Sequence, residues 1–407
     1  MIYLDYQATT PLAPEALDAM LPWLRDQHAN PHSAHRPGRA AKAAVEVARD
    51  EIVRLLPPGG RGVFTSGATE ALNWAIKGTR GPIVTLATEH AAVLDTVAAE
   101  AGRGVTVLPV GADGLVDLDR ARAAIRPGTG LVAAMLVNNE IGVIQPVSAL
   151  ADLAHAAGAL FLCDAVQGYG RVPIPANVDL VAISAHKVHG PKGVGALWIR
   201  DGVALDPLLH GGDQEGGRSG TLSPALCAGF GAAVRLMRER AAEDRAHVER
   251  LWSHAAEQLN LQVPFPLAGG ARGGDVLAPR NATTGPSPTP PASGRGDQAW
   301  PPASDATETW HLNGSPDRRY PGNINLRRPG LDVARLASDL RDVAFSAGSA
   351  CASGSGRPSH VLRALGLSDA QARSSIRIGF GRYTTEAELS EALARIAAAA
   401  DAQRIAA

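Results

Sequence analysis

Residues 178–193, VDLVAISAHKVHGPKG, are the stretch on which the fold prediction for this chain depends. The first six residues are mostly apolar and predict a buried strand. That strand runs directly into small, hydroxyl, imidazole and amine side chains, and open α/β sheets bind their ligands at the carboxyl ends of their strands. Lys187 is therefore either an ordinary solvated loop lysine or a lysine placed at a ligand site.

Short apolar runs recur upstream of this strand and alternate with segments of helical periodicity. Strands are predicted at 62–65, 83–86, 104–109, 131–137, 160–163 and 178–183, and helices at 14–26, 39–56, 69–77, 90–101, 117–125 and 146–157. Repeated β-α-β order predicts an α/β fold, with a mainly parallel sheet covered by helices on both faces. A long helical region is predicted from about 224 to past 259.

The carboxyl-terminal part of the chain has a different composition. Residues 268–309 hold 7 Gly and 7 Pro, which predicts a disordered insertion because so little apolar surface is available for burial. A helix near 332–342, a strand at 375–379 and a final Ala-rich helix follow. We predict a large domain over 14–258 and a smaller α+β domain formed by 1–13 and 259–407.

The bulk composition excludes several classes of protein. Among 407 residues, 39 are Lys or Arg and 40 are Asp or Glu, so no basic excess indicates nucleic-acid binding. No apolar run is long enough for a transmembrane helix, and the amino terminus lacks the pattern of a signal peptide. The three cysteines form neither a metal motif nor a disulfide framework, which favours a cytoplasmic protein with free thiols.

Three further strand ends carry polar side chains. The segment from Thr65 to Glu70 opens a predicted helix, where free backbone N–H groups suit a phosphate, although it is also an ordinary helix cap. His90 stands at a second strand-to-helix junction and could stack on a ligand ring or cap the helix. Asn139, with its neighbours at 138 and 140, suits ligand contact or capping of a turn.

Asp164 directly follows a predicted buried strand, where an unpaired carboxylate is unfavourable. Pyridoxal phosphate (PLP) needs a carboxylate beside its pyridine nitrogen and a lysine for its Schiff base. Asp164 and Lys187 lie 23 positions apart at two strand ends, with Gln167 close enough to reach the ring oxygen. The pair favours a PLP enzyme of the aspartate-aminotransferase type. Cys163 alternates to the other face of its strand and is predicted to pack in the core.

The last motifs lie further along the chain. The Gly-rich segment 210–221 is predicted to permit close backbone approach, at a subunit interface or as a flexible surface loop. Cys351 is flanked by Gly, Ala and Ser, the setting of an exposed, reactive thiol. Arg377 is predicted on a strand, available for bidentate binding of a carboxylate.

Taken together, these segments resemble the cysteine desulfurases of the class V aminotransferase superfamily, in the branch that serves iron–sulfur cluster assembly. The resemblance covers nearly the whole chain except 268–309. It implies the PLP-dependent fold type I, in which Lys187 holds PLP and Cys351 accepts sulfur as a persulfide. The following positions match residues of the family that bind the cofactor or substrate: Ala68, Thr69, Ser184, His186 and, from a partner subunit, Thr221 for the phosphate; His90, Asp164 and Gln167 for the ring; Asn139 and Arg377 for cofactor and substrate carboxylate.

The resemblance also implies a reaction and partners. L-cysteine would be converted to L-alanine by a homodimer, with His90 aiding proton transfer. The sulfur would pass to an acceptor such as an iron–sulfur scaffold protein. Cys351 is a candidate transient iron–sulfur ligand, and no other metal site is predicted. The alternatives are a class V aminotransferase, a selenocysteine lyase, and a catalytically inactive sulfur-transfer scaffold.

Overall fold

A computed structural model describes residues 1–212, 214–261, 309–347 and 357–405. The predicted insertion at 268–309, apart from its last residue, and the segment that carries Cys351 lie outside these residues. The helices are α1 Pro14–Arg25, α2 Arg36–Val53, α3 Ala68–Gly78, α4 Ala91–Ala99, α5 Leu118–Ala124, α6 Val147–Ala156, α7 Pro224–Glu239, α8 Ala241–Gln258, α9 Val333–Asp339, α10 His360–Ala364, α11 Asp369–Arg373 and α12 Glu386–Ile405. The strands are β1 Ile2–Tyr3, β2 Gly60–Thr65, β3 Ile83–Leu86, β4 Val105–Leu108, β5 Leu131–Met135, β6 Leu160–Asp164, β7 Leu180–Ser184, β8 Gly195–Arg200, β9 His311–Leu312, β10 Asn323–Arg327, β11 Val343–Ala344, β12 Ser346–Ala347 and β13 Ser375–Gly379.

The large sheet has seven strands in the order β2-β8-β7-β6-β5-β3-β4. Strand β8 runs antiparallel to both of its neighbours, and the other pairs are parallel. The predicted mainly parallel sheet is therefore confirmed. The parallel strands end at one edge, so their carboxyl ends lie together.

Both faces of this sheet are covered by helices, as the sequence predicts. Successive strand residues alternate between two separate cores. Cys163 packs in one core with side chains of α2, α6 and α7, and its predicted core position is confirmed. Leu162 packs in the other core with side chains of α3 and α4. A parallel sheet must bury both faces in this way because its crossover helices lie on both.

A third core lies around a four-stranded antiparallel sheet, β12-β13-β10-β9. Apolar side chains of β1, α8, α9 and α12 pack against it. Helix α8 contributes Trp252 to this core, although it precedes residue 258, where we predict the domain boundary. The boundary itself stays a prediction.

The structure differs from the predicted elements at several points. The predicted long helix is two helices, α7 and α8, because Arg240 between them leaves helical geometry. Helix α2 begins at Arg36 rather than 39, since Pro37 suits the first turn of a helix and His35 caps it. Strand β8 was not predicted, because its apolar run follows a glycine-rich turn that resembles a loop.

Candidate active site

A cavity of about 620 Å³ lies at the carboxyl ends of β6 and β7, within the usual volume range of ligand pockets. Its lining combines one buried carboxylate, two lysines, two imidazoles, an arginine and the start of a helix. It is formed by Gln7, Ala8, Thr9, Ser66, Gly67, Ala68, Thr69, Glu70, Leu72, His90, Ala92, Met135, Asn139, Asp164, Val166, Gln167, Ser184, His186, Lys187, Lys192, Gly193 and Arg377. Ten of the predicted site residues are among them.

Lys187 ends a single 3-10 turn that follows β7 directly. Its Nζ donates to the carbonyl oxygens of Gln7 at 2.5 Å and Ala8 at 2.9 Å. The guanidinium of Arg171 stabilises the turn by donating a hydrogen bond to the carbonyl oxygen of Lys187 at 2.5 Å. The amine is therefore held at the cavity by two successive carbonyl oxygens of the amino-terminal segment.

Asp164 is the last residue of β6, and its side chain is 5% exposed. Burial raises the pKa of this carboxyl, while the N–H of Val166 and the charges of His90 and Lys187 act in the opposite direction. The Val166 N–H donates to Oδ1 at 3.0 Å. A positively charged group in the cavity beside Asp164 would offset the unfavourable burial of its negative charge.

The start of α3 forms one wall of the cavity. Its first N–H groups have no carbonyl partner within the helix, so they are available to an anion. The carboxylate of Glu70 also lines the cavity, but it already has two hydrogen-bonding partners. It accepts from the N–H of Ser66 at 2.7 Å and pairs with Arg218 at 2.7 Å. Burial alone would raise the pKa of Glu70, but the Arg218 hydrogen bond holds it below its usual value.

Position 195, the first residue of β8, requires glycine. A Cβ at Gly195 would lie 2.5 Å from the carbonyl oxygen of Ile183 and 2.8 Å from the Cα of Gly67. The missing side chain therefore lets β8 pack directly under the first turn of α3.

Two histidines, His90 and His186, line the cavity. Nδ1 of His90 accepts the Ala92 N–H at 3.0 Å, so a proton on the neutral ring resides on Nε2. His90 thus caps α4, as one of the two predictions for it states. It also lines the cavity, so the other prediction, contact with a ligand ring, is compatible with the cap. Burial lowers the pKa of His186 to about 4, and the charges of Lys187 and Lys192 act in the same direction.

Arg377 lies on β13 and is fully buried. Its Nη2 pairs with Asp5 Oδ1 at 2.7 Å, and its Nη1 donates to the Asn139 carbonyl oxygen at 3.0 Å. Asn139 itself lines the cavity. The neighbouring Asn138 instead caps its own turn, accepting from the N–H groups of Glu140 and Ile141 at 2.9 Å.

Two predicted site residues are not brought into the cavity by the described chain. Thr221 is exposed and does not line the cavity, and its predicted role depends on a partner subunit. Cys351 lies outside the described residues, so its predicted role stays a prediction. Conversely, the prediction missed Gln7, Ala8 and Lys192. Gln7 lies outside every predicted helix and strand, yet Tyr6 and Gln7 are both 3% exposed.

Comparison with known proteins identifies the family. Residues 2–269 match the family model for class V aminotransferases. The mitochondrial cysteine desulfurase of Saccharomyces cerevisiae is 42% identical over 95% of this chain and 72% of its own length. The cysteine desulfurase IscS of Rickettsia bellii is 38% identical over 96% of this chain and 89% of its own length. The chain belongs to the cysteine desulfurase family.

Solved structures agree with this family. A NifS-like protein is 30% identical and has a TM-score of 0.79, with 98% of both chains covered. A structure of SspA in complex with cysteine is 31% identical with a TM-score of 0.70, over 95% of this chain and 100% of that one. Cysteine desulfurases use PLP, so the predicted fold type I and the predicted cofactor are confirmed.

Among the residues that the structure describes, no group of three or more His, Cys, Asp or Glu side chains is arranged to hold a metal ion. None of the helices in this part of the chain is both long and apolar enough to cross a membrane.

Proposed function

We propose that this cysteine desulfurase releases L-alanine from L-cysteine and collects the sulfur on Cys351 as a persulfide. The observation that carries the proposal is the meeting of Lys187 and Asp164 in one cavity, at the carboxyl ends of adjacent strands. The structure of SspA in complex with cysteine supports the choice of substrate.

The described residues fit PLP by their chemistry. The first turn of α3 offers N–H donors to a phosphate, with hydroxyls from Thr69 and Ser184 and the imidazole of His186 nearby. Asp164 is a buried carboxylate that a protonated ring nitrogen would neutralise. Lys187 supplies the amine for covalent attachment. When bound, PLP provides a conjugated ring that accepts the electron pair left at the substrate carbon.

The remaining roles belong to side chains of this chain. Lys187, once its amine is released, is the base for the α-proton of the substrate. Nε2 of His90 carries the proton that this ring can deliver. Gln167 and Asn139 contact the cofactor, and Arg377 binds the substrate carboxylate.

The sulfur step balances without an outside oxidant. The thiolate of Cys351 attacks the sulfur of the substrate, an S–S bond forms, and the Cβ–S bond breaks. Cβ keeps the electron pair and takes up one proton to become the methyl group of alanine, while Cα regains the α-proton that was removed. One cysteine and one protein thiol therefore give one alanine and one persulfide.

The persulfide is then transferred to an acceptor, for which we propose an iron–sulfur scaffold protein. We further propose a homodimer in which Thr221 of one subunit completes the phosphate site of the other. A cytoplasmic location is part of the same proposal, although the yeast relative is named mitochondrial. The proposed metal role of Cys351 is limited to transient iron–sulfur ligation.

The test is to supply the purified protein with PLP and L-cysteine and to measure alanine and persulfide. We expect equal amounts of both in one turnover. Lys187→Ala should abolish both products and the visible absorption of the bound cofactor, whereas Lys192→Ala should keep that absorption. Full activity of Cys351→Ala on cysteine would contradict the persulfide route. Alanine formation without bound cofactor would contradict the role of PLP.

A further inference from the structure

A second cavity, of about 70 Å³, has no role in the proposed reaction. Among the described residues, it shares none of its lining with the active-site cavity. It lies between the loops that follow β6 and β13, the segment that precedes β10, and the start of α8. One water needs about 10–15 Å³ of such space, so the cavity has room for several waters or for one small polyatomic ion.

The lining of this second cavity is strongly positive. It contains four arginines and one carboxylate: Arg171, Arg245, Arg319, Arg382 and Asp244. Asp244 is already paired, because Arg382 donates to it from Nε at 3.1 Å and from Nη2 at 2.6 Å. Three arginines of the lining therefore remain without a carboxylate from the lining itself.

Arg319 is fully buried and donates only to main-chain carbonyl oxygens in the described chain, among them those of Ile141 at 2.9 Å and Asn323 at 3.0 Å. Its guanidinium also lies over the ring of Trp252, 5.1 Å from the centroid. Burial lowers the pKa of Arg319 to about 9, and no carboxylate among the described residues acts against this. An anion beside Arg319 would offset the unfavourable burial of its charge.

Two arginine N–H groups of this lining are buried without a hydrogen-bond partner in the described chain. They are Nε of Arg319 and Nη1 of Arg382. The side chain of Arg382 is 2% exposed, so bulk water does not supply the partner. Buried donors in folded proteins nearly always have an acceptor. Two such donors on one cavity indicate a ligand with more than one acceptor oxygen.

Arg171 approaches the cavity from a third part of the chain. It donates to the carbonyl oxygens of Gln167 at 3.3 Å and Lys187 at 2.5 Å, and its guanidinium lies 5.4 Å from the ring centroid of Tyr320. Arginines from three separate segments suit a tetrahedral oxyanion, which has more acceptor oxygens than a carboxylate and can accept from several directions.

We propose that the second cavity binds one small tetrahedral oxyanion of the phosphate class, held by Arg171, Arg319 and Arg382. This anion site is separate from the first turn of α3, which we propose for the cofactor phosphate. The proposal does not depend on the desulfurase reaction.

The experiment titrates inorganic phosphate into the full-length, PLP-loaded protein, with chloride replaced at constant ionic strength, and measures binding by calorimetry. Bound PLP keeps phosphate away from the cofactor's own phosphate position. We expect saturable binding of one phosphate per chain. In Arg171→Gln the affinity should fall about tenfold or more, because a charged donor is lost while the amide can still donate to the Lys187 carbonyl oxygen. Absence of saturable binding to the unaltered protein would overturn the proposal.

Asp244→Asn tests the site in the opposite direction. The change removes the negative charge from the lining, and the amide oxygen can still accept from Arg382. We expect phosphate to bind about threefold more tightly or better, since one repulsive charge is gone. Arginines that serve only to support the fold would give no such gain, so unchanged or weaker binding in Asp244→Asn would overturn the proposal.

Arg200→Gln is the matched control. Arg200 also lies over an aromatic ring, that of Trp198 at 5.5 Å, but it pairs with Asp179 and lines neither cavity. Its loss should change the phosphate affinity less than about twofold. Equal losses in Arg171→Gln and Arg200→Gln would overturn the proposal, because net charge alone would then explain binding. If Arg171→Gln does not fold, Arg245→Gln replaces it, since Arg245 is an exposed residue of the same lining and its loss should also weaken binding.

Discussion

The guanidinium of Arg377 donates from Nη2 to Asp5 Oδ1 at 2.7 Å, and this pair joins the first and last parts of the chain at the cavity. Asp5 orients Arg377 and balances its charge in a place where the arginine is fully buried. The arginine that we propose for the substrate carboxylate is therefore held in position before any substrate arrives.

Arg377→Lys is expected to raise the KM for L-cysteine about 30- to 100-fold with a small change in kcat. Lysine keeps the charge but loses the planar pair of donors that matches a carboxylate, a difference of about 2–3 kcal/mol. Steady-state kinetics measure the two parameters. Arg328→Lys is the control, since Arg328 is also buried but pairs with Asp401. An unchanged KM in Arg377→Lys would contradict the proposal that Arg377 binds the substrate carboxylate.

Asp164→Asn should lower the desulfurase rate without lowering the stability of the cofactor-free protein. The ionised carboxylate is unfavourable in the cofactor-free protein because burial raises its pKa, and asparagine can still accept from the Val166 N–H. We expect the cofactor-free variant to melt at the same or a higher temperature than the unaltered protein. Its desulfurase rate should fall by about 100-fold or more, since the charge opposite the ring nitrogen is lost. Near-normal activity would contradict the pairing.

Gly195→Ala should weaken cofactor binding through the main chain. Its Cβ would meet Gly67 and the carbonyl oxygen of Ile183, so the first turn of α3 must move. We expect at least a tenfold loss of PLP affinity, measured by titration of the cofactor-free protein. Gly102→Ala is the control because its Cβ would meet no atom within 4 Å, and it should bind PLP normally.

The buried imidazole of His189 is expected to make the free energy of unfolding depend on pH. Burial lowers its pKa to about 3, and the charges of Arg382 and Arg171 act in the same direction. In the unfolded chain this histidine binds a proton near pH 6.5, whereas in the folded protein it does so only near pH 3. Protonation therefore favours the unfolded chain, so the free energy of unfolding is highest above pH 6.5 and decreases as the pH falls toward 3. Between pH 7 and pH 5 this single group should remove about 2 kcal/mol of stability.

The matching variant is His189→Asn, because His189 has a φ of +65° and asparagine tolerates that conformation. Denaturant unfolding at pH 7 and pH 5 should show a smaller loss of stability in this variant than in the unaltered protein. An identical loss in both proteins would show that His189 is not the group responsible.

Much of the site was predictable because α/β sheets collect their functional residues at strand ends. The predictions of Asp164 and Lys187 each rest on a strand that ends beside a polar residue, and both residues line one cavity. Gln7 could not be predicted this way. It lies in an irregular segment whose burial depends on contacts more than 150 positions away, such as that with the Gln167 amide at 2.9 Å.

The amino-acid sequence by itself determined the family and the mainly parallel sheet, because short-range periodicity and the order of motifs along the chain are enough for these. Only the tertiary structure decided which groups meet. Arg377 pairs with Asp5, and Glu140 accepts a hydrogen bond from Ser359. Such pairs join segments hundreds of positions apart, and their geometry follows from tertiary packing rather than from any local pattern.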